Sequence, residues 1–205
     1  MTNNEMIREA MAALTGTDLD ARAMAIETLG EHRHAPAVPY LIDIVYDADP
    51  GTRFMAVKAL GQIGDESSTT VLLEALRGND MWTRAAATGA LINIGLASVN
   101  GLVEALRDHD KNVRRAAAKA IGKIGEDASD ERVLRGLSMA LLDVDKGVRR
   151  FAAEALGRIG ADTMVKELKE TLSDKHPEVR IAAFKALAKI DTVEASQAVR
   201  SWLHE

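Results

Sequence analysis

The chain has 205 residues, of which 47% are hydrophobic, 28% charged and 3% aromatic, with no cysteine and a formal net charge of -5. This composition folds rather than staying disordered. It excludes disulfides, thiol catalysis and cysteine-ligated metal centres, and the acidic balance speaks against a general nucleic-acid coat protein.

No uncharged apolar run approaches the roughly 20 residues of a membrane span. Glu5, Arg8 and Glu9 interrupt the apolar pattern of the N-terminus, so it is read as no signal peptide. A monomer in the cytoplasm, without membrane association, is expected. Strand signals are absent, whereas alanine and leucine recur at helical spacing.

A repeat organises the helices. Its anchors are Arg22, Arg53, Arg84, Arg114, Arg149 and Arg180, spaced by 31, 31, 30, 35 and 31 residues. Asp18, Asp49, Asp80, Asp110 and Asp145 each stand four residues before an anchor, and His176 takes that place in the last copy. An Asp at the start of an apolar-periodic run predicts an N-cap, because its carboxylate accepts free N–H groups of the first turn. Gly64, Gly125 and Gly160 close the runs and suit a C-terminal cap.

In chain order, helix pairs are expected over about 3–30, 35–63, 66–94, 97–124, 130–159 and 162–190, followed by a cap over 193–204. The longer spacing after Arg114 enlarges the loop near Glu126 to Ser129. No linker or composition shift divides the chain, so one domain is expected over 1–205. Stacked pairs of this kind form an all-α solenoid, each pair burying its apolar face on its neighbours.

The frame Asp-x-x-Val-Arg-x-x-Ala-Ala-x-Ala-Leu-Gly-x-Ile-Gly, as it stands from Asp145 to Gly160, resembles HEAT-like repeats of the phycobilisome-lyase type. The resemblance covers nearly the whole chain. It implies an armadillo/HEAT-like superhelix in which the variable face of the second helices lines a concave groove. Such repeats serve lyases, adaptors, hydroxylases and DNA-binding proteins, so the resemblance alone assigns no activity.

On a wheel of 100° per residue, the recurring Val, Ala, Leu and Ile of the second helix share one buried arc with the Arg anchor. A repeated Arg in that place is read as scaffold, paired with Asp residues of adjacent turns. The opposite arc varies between copies. In the first three pairs it carries Met24, Phe54, Met55, Met81 and Trp82, with Glu27 and Glu31 at one edge. Exposed Met and aromatic groups mark adaptable partner surfaces.

In the last three pairs the same arc carries Lys111, Arg115, Lys119, Lys123, Lys146, Arg150, Arg158, Lys185 and Lys189, nine basic residues against the two acidic ones, Glu154 and Glu178. Solvation of a helix face has no preference of sign, so the bias points to an anionic partner.

Catalytic and metal signatures are missing. His32, His34, His109, His176 and His204 show no metal-binding helix spacing, and His32 is expected as a partly buried cap. HEAT-like hydroxylases carry a His-Glu pair just after the anchor. Here those places read Ala23-Met24, Phe54-Met55, Ala85-Ala86, Arg115-Ala116, Arg150-Phe151 and Ile181-Ala182. No nucleotide loop or nucleophile elbow is present, and no cofactor is expected. The expected function is a protein-binding scaffold for a partner with an acidic segment. Nucleic-acid backbone binding and a bilin lyase or chromophore chaperone are the other two readings.

Overall fold

The computed structural model describes residues 2–46 and 49–204. Among these residues all regular structure is helical: thirteen α-helices and four 3-10 turns, without a strand. The chain divides into two compact units, Met1–Ser98 and Val99–Glu205.

The first unit contains α1 (Asn3–Ala13), α2 (Leu19–Glu31), α3 (Val38–Val45), α4 (Pro50–Ile63), α5 (Thr69–Ala75) and α6 (Met81–Ile94). Its second helices α2, α4 and α6 pack in series, each also packed on its own first helix. The division falls inside α7 (Leu96–Ala105). The second unit continues with α8 (Lys111–Ile124), α9 (Glu131–Ala140), α10 (Lys146–Ile159), α11 (Val165–Thr171), α12 (Pro177–Leu187) and α13 (Val193–Leu203). There α8, α10 and α12 pack in series, and α13 packs on α11 and α12.

The N-caps explain where the second helices begin. Asp18 accepts from the N–H groups of Asp20 and Ala21, Asp80 from Trp82 and Thr83, Asp49 from Thr52, Asp110 from Asn112 and Asp145 from Val148. His176 makes no side-chain cap; Pro177 opens α12 instead, a residue whose missing N–H costs nothing at a helix start.

The C-terminal caps show one departure. Gly64, Gly95, Gly125 and Gly160 all take positive φ. In the first copy the same frame place holds Arg33, at φ 47, a conformation that a side chain makes unfavourable. His32 caps α2 beside it and is exposed rather than partly buried, with a ring nitrogen 2.8 Å from the Thr28 carbonyl.

The core follows the wheel. Leu29, Leu60, Leu91, Ile121, Leu156 and Leu187, all seven places after an anchor, are buried, as are Ala25, Ala56, Ala87, Ala117, Ala152 and Ala183. Each fully buried Leu or Ile contributes about 1.5–3 kcal/mol.

Glycine sets the spacing between neighbouring second helices. A Cβ at Gly61 would stand 2.6 Å from Ala90 Cβ, at Gly122 2.7 Å from Ala155 Cα, and at Gly157 2.5 Å from Ala186 Cα. These contacts put backbone on backbone and fix the spacing of the axes, about 8–10 Å for packed helices.

Gly122→Ala should therefore lower stability by about 1–3 kcal/mol through overpacking. Gly89 lies exposed within α6 with nothing near its missing Cβ, so Gly89→Ala should raise stability by about 0.5–1 kcal/mol. Urea unfolding of the two variants checks both signs.

Candidate interaction surface

The six anchors all turn back on their own repeat. Arg22, Arg84, Arg114, Arg149 and Arg180 each donate to the carbonyl six residues upstream, at 2.7–2.9 Å. Arg53 donates to the Val45 carbonyl at 3.1 Å. Each thereby ties the start of a second helix to the turn preceding it, satisfying carbonyls that the first helix leaves open.

Two anchors reach further. Arg114 pairs with both carboxylate oxygens of Asp143, at 2.6 and 2.9 Å. Arg149, 7% exposed, does the same with Asp174, at 2.6 and 3.1 Å. These partners belong to the next repeat, and each also accepts an N–H from the residue capping the helix that follows, Asp145 or His176. The Arg149 guanidinium holds the Asp174 carboxyl below its ordinary range, and Asp143 and Asp174 raise the affinity of Arg114 and Arg149 for their protons.

On the second unit the variable arc of α8, α10 and α12 faces outward, with two exceptions: Ala116 and Ala182 are buried. Three of its nine basic residues are occupied. Arg115 forms a bidentate pair with Asp145, both bonds 2.6 Å long. Lys146 meets Glu178 at 2.7 Å, and Arg150 meets Glu154 at 2.9 Å while lying 4.1 Å over the Phe151 ring. Lys146 also holds the Glu178 carboxyl below its ordinary range.

Lys111, Lys119, Lys123, Arg158, Lys185 and Lys189 make no ion pair with the described residues. Most of them come together in two adjoining depressions. One of about 650 Å³ lies between α10 and α12, lined by Arg150, Arg158, Lys185 and Lys189 together with Glu154 and Glu178, whose carboxylates pair with Arg150 and Lys146. A small one between α8 and α10 is rimmed by Lys119, Lys123 and again Arg158. Lys111 and Lys146 sit apart from these, in the first turns of α8 and α10.

In the first unit Met24, Met81 and Trp82 are 71%, 62% and 66% exposed, while Phe54 and Met55 are half-buried. They stand in the first two turns of α2, α4 and α6, which pack in series. Glu27 and Glu31 are exposed on α2.

One exposed apolar feature escaped the wheel. Leu142 and Val144 are 84% and 91% exposed in the turn before α10. The signal was available in the frame: the same two places hold Arg107 and His109 in the fourth copy and Ser173 and Lys175 in the sixth.

Among the described residues no three His, Asp or Glu side chains gather as metal ligands, and no helix is long and apolar enough to cross a membrane. A model of HEAT repeats matches residues 7–92, 71–144 and 134–205. The chain belongs to the HEAT-repeat family. No curated protein matches it significantly.

Among solved structures, this HEAT-repeat chain is similar to an engineered protein, at 24% identity and a TM-score of 0.57, over 91% of this chain and 96% of that one. It is also similar to a designed armadillo repeat protein in complex with the peptide (KR)4, at 19% identity and 0.59, over 91% and 100%. A computationally designed armadillo repeat protein for modular peptide recognition gives 19% and 0.56, over 93% and 100%. These likenesses, with the family match, establish an armadillo/HEAT-type α-solenoid fold.

The ion pairs of the HEAT repeats generate two predictions. Arg114→Ala leaves Asp143, only 11% exposed, without its partner, and should cost roughly 2–4 kcal/mol in thermal or urea unfolding.

The second concerns acid. The Arg115 guanidinium, helped by the Val148 N–H and opposed by burial, lowers the Asp145 carboxyl from 3.8 to about 2. A lowered folded-state value gives stability that is present above the unfolded value and lost as pH falls through the folded one. Asp145 should thus contribute about 2 kcal/mol at neutral pH, fading between about pH 4 and 2. In Asp145→Asn the slope of stability against pH in that window should be shallower, as measured by urea unfolding at successive pH values.

Proposed function

We propose that this HEAT-repeat protein is a non-catalytic scaffold or adaptor whose second-helix face forms a concave groove, apolar in its N-terminal half and basic in its C-terminal half. Its partner is a protein with an acidic segment, met by a monomer in the cytoplasm. The observation that carries the reading is the set of six unpaired cations on the second unit's face. A cation held in an ion pair has its field largely cancelled, whereas Lys119, Lys123, Arg158, Lys185 and Lys189 keep theirs, around two adjoining depressions.

The fold supports the same reading. A designed armadillo repeat protein of like fold is seen with the peptide (KR)4. Here the basic charge is on the repeat protein itself, so complementarity asks for an acidic partner. On the first unit the Trp82 and Met81 side chains offer an apolar anchor that salt does not weaken. The frame from Asp145 to Gly160 supports placing the repeats with the phycobilisome-lyase type.

The same cations suit nucleic-acid phosphates, and Trp82 suits stacking on a base, which makes duplex and single-stranded DNA the competing ligands. Fluorescence anisotropy with labelled polyglutamate and labelled DNA tests both. Wild type should bind polyglutamate at low salt and release it as salt shortens the screening length below about 10 Å. Lys119→Glu/Arg158→Glu/Lys185→Glu should bind at least tenfold more weakly and remain folded, because these side chains make no ion pair or hydrogen bond in the scaffold. Tighter binding of DNA than of polyglutamate by wild type, or equal polyglutamate binding by the triple variant, overturns the proposal.

A further inference from the structure

The basic face also has a register. Lys123, Arg158 and Lys189 occupy the same frame place, nine residues after their anchors, on three second helices packed in series. Lys123 and Arg158 lie in α8 and α10. Lys189 follows α12 in a helical turn closed by its N–H to the Ala186 carbonyl at 3.0 Å. The depressions join them pairwise: Lys123 and Arg158 rim the smaller, Arg158 and Lys189 the larger. All three are free of ion pairs among the described residues.

The neighbouring row, one turn earlier, reads Lys119, Glu154 and Lys185. It is broken at its centre by the carboxylate of Glu154, which pairs with Arg150. The unbroken cationic strip is thus one residue wide.

The spacing of that strip is set by the glycine contacts. Gly122 lies against Ala155 and Gly157 against Ala186, which keeps successive helix axes about 8–10 Å apart. A ligand must present anionic groups at that interval along one edge. In a β-strand the edge repeats every two residues, about 7 Å, and groups three apart point to opposite sides. A polyproline II segment has three residues per turn at about 3.1 Å each, so every third side chain lies on one edge about 9 Å apart. An α-helix reaches a similar interval only every seven residues. At about 10 Å wide it would also cover Glu154, about 6 Å away along α10.

The large depression adds a second requirement. Its floor includes Ala182, Ala186 and the exposed Ile181, an apolar surface beside the last cation.

Resting on the scaffold reading above, we propose that the second unit recognises an extended, polyproline II-type segment with acidic side chains at every third residue. A bulky apolar residue at one end of the segment fills the α10–α12 depression.

The test uses the full chain and labelled synthetic peptides in anisotropy titrations at low salt. The first peptide is acetyl-(Asp-Pro-Ala)₃-amide. The second has the same composition with its three Asp contiguous, and the third is a helix-forming peptide with Glu seven residues apart. The spaced peptide should bind about tenfold more tightly than the contiguous one. That preference should vanish in Lys123→Ala/Arg158→Ala/Lys189→Ala. It should persist in Lys166→Ala/Lys175→Ala/Arg200→Ala, which removes equal charge from other surfaces. Adding Leu to one end of the spaced peptide should tighten binding, and Ile181→Asp should cancel the gain.

Equal binding of spaced and contiguous peptides, with loss of both in the row variant, overturns the register and leaves the scaffold reading intact. Stronger binding of the helical peptide overturns the extended conformation. No gain from Leu at either end removes the apolar anchor. Indifference of every peptide to the row variant overturns the register, while the Lys119→Glu/Arg158→Glu/Lys185→Glu variant decides the scaffold reading separately.

Discussion

The contact on which the rest depends is that of a glycine in one second helix with an alanine in the next. Neither residue has a side chain that can hold the helices apart, so the backbones meet and their spacing becomes a fixed number rather than a compromise among rotamers. Gly30 and Ala59, Gly61 and Ala90, Gly122 and Ala155, and Gly157 and Ala186 repeat this contact. A repeat array is stabilised by interfaces between neighbours, so the same geometry must recur at each for the stack to remain regular. The third copy holds Ile92 at the glycine place, and it is in the helix following this copy that the chain passes from one compact unit to the next.

The Arg anchors solve a second problem, that of fixing the turn between paired helices. A turn carries carbonyls with no helical partner, and a guanidinium has five donors in a rigid fork. One arm of the fork binds the upstream carbonyl. In Arg114 and Arg149 the other side binds an Asp of the next repeat. A pair of this burial contributes little net stability compared with an apolar replacement, because desolvation offsets attraction. Its value is angular, since a bidentate pair across two repeats admits few orientations.

Much of this was legible in the residues. The spacing of the six anchors gave the pairs, and the Asp four residues earlier gave the starts of five second helices, because both are local consequences of helix geometry. What a wheel cannot contain is the neighbour. Arg115, Lys146 and Arg150 count as free cations on the wheel, yet each finds a carboxylate, two of them on the adjacent repeat or its cap. Ala116 and Ala182 lie on the outward arc by angle and are buried all the same, since close-packed neighbours cover the edge of that arc. Arg33 in the left-handed region and the exposed pair Leu142 and Val144 depart from the frame itself. They are visible only when the copies are compared place by place.

The acidic total charge and the basic face are compatible because the two signs answer to different demands. Asp18, Asp49, Asp80, Asp110 and Asp145 are required at the helix starts, and Asp143 and Asp174 complete the Arg anchors. The fold therefore concentrates carboxylates along the edge where the paired helices turn, whatever the protein binds. Nothing in the scaffold makes a comparable demand for cations on the outward arc. Lys123, Arg158 and Lys189 bond to no described side chain, and Gly89 shows that the place of Lys119 and Lys185 tolerates having no side chain at all. A charge that folding requires carries no information about a ligand, so the proposal of an anionic partner rests on the charges that folding does not require. The net charge of -5 is a sum over the whole chain, and it leaves room for a face of the opposite sign on the second unit.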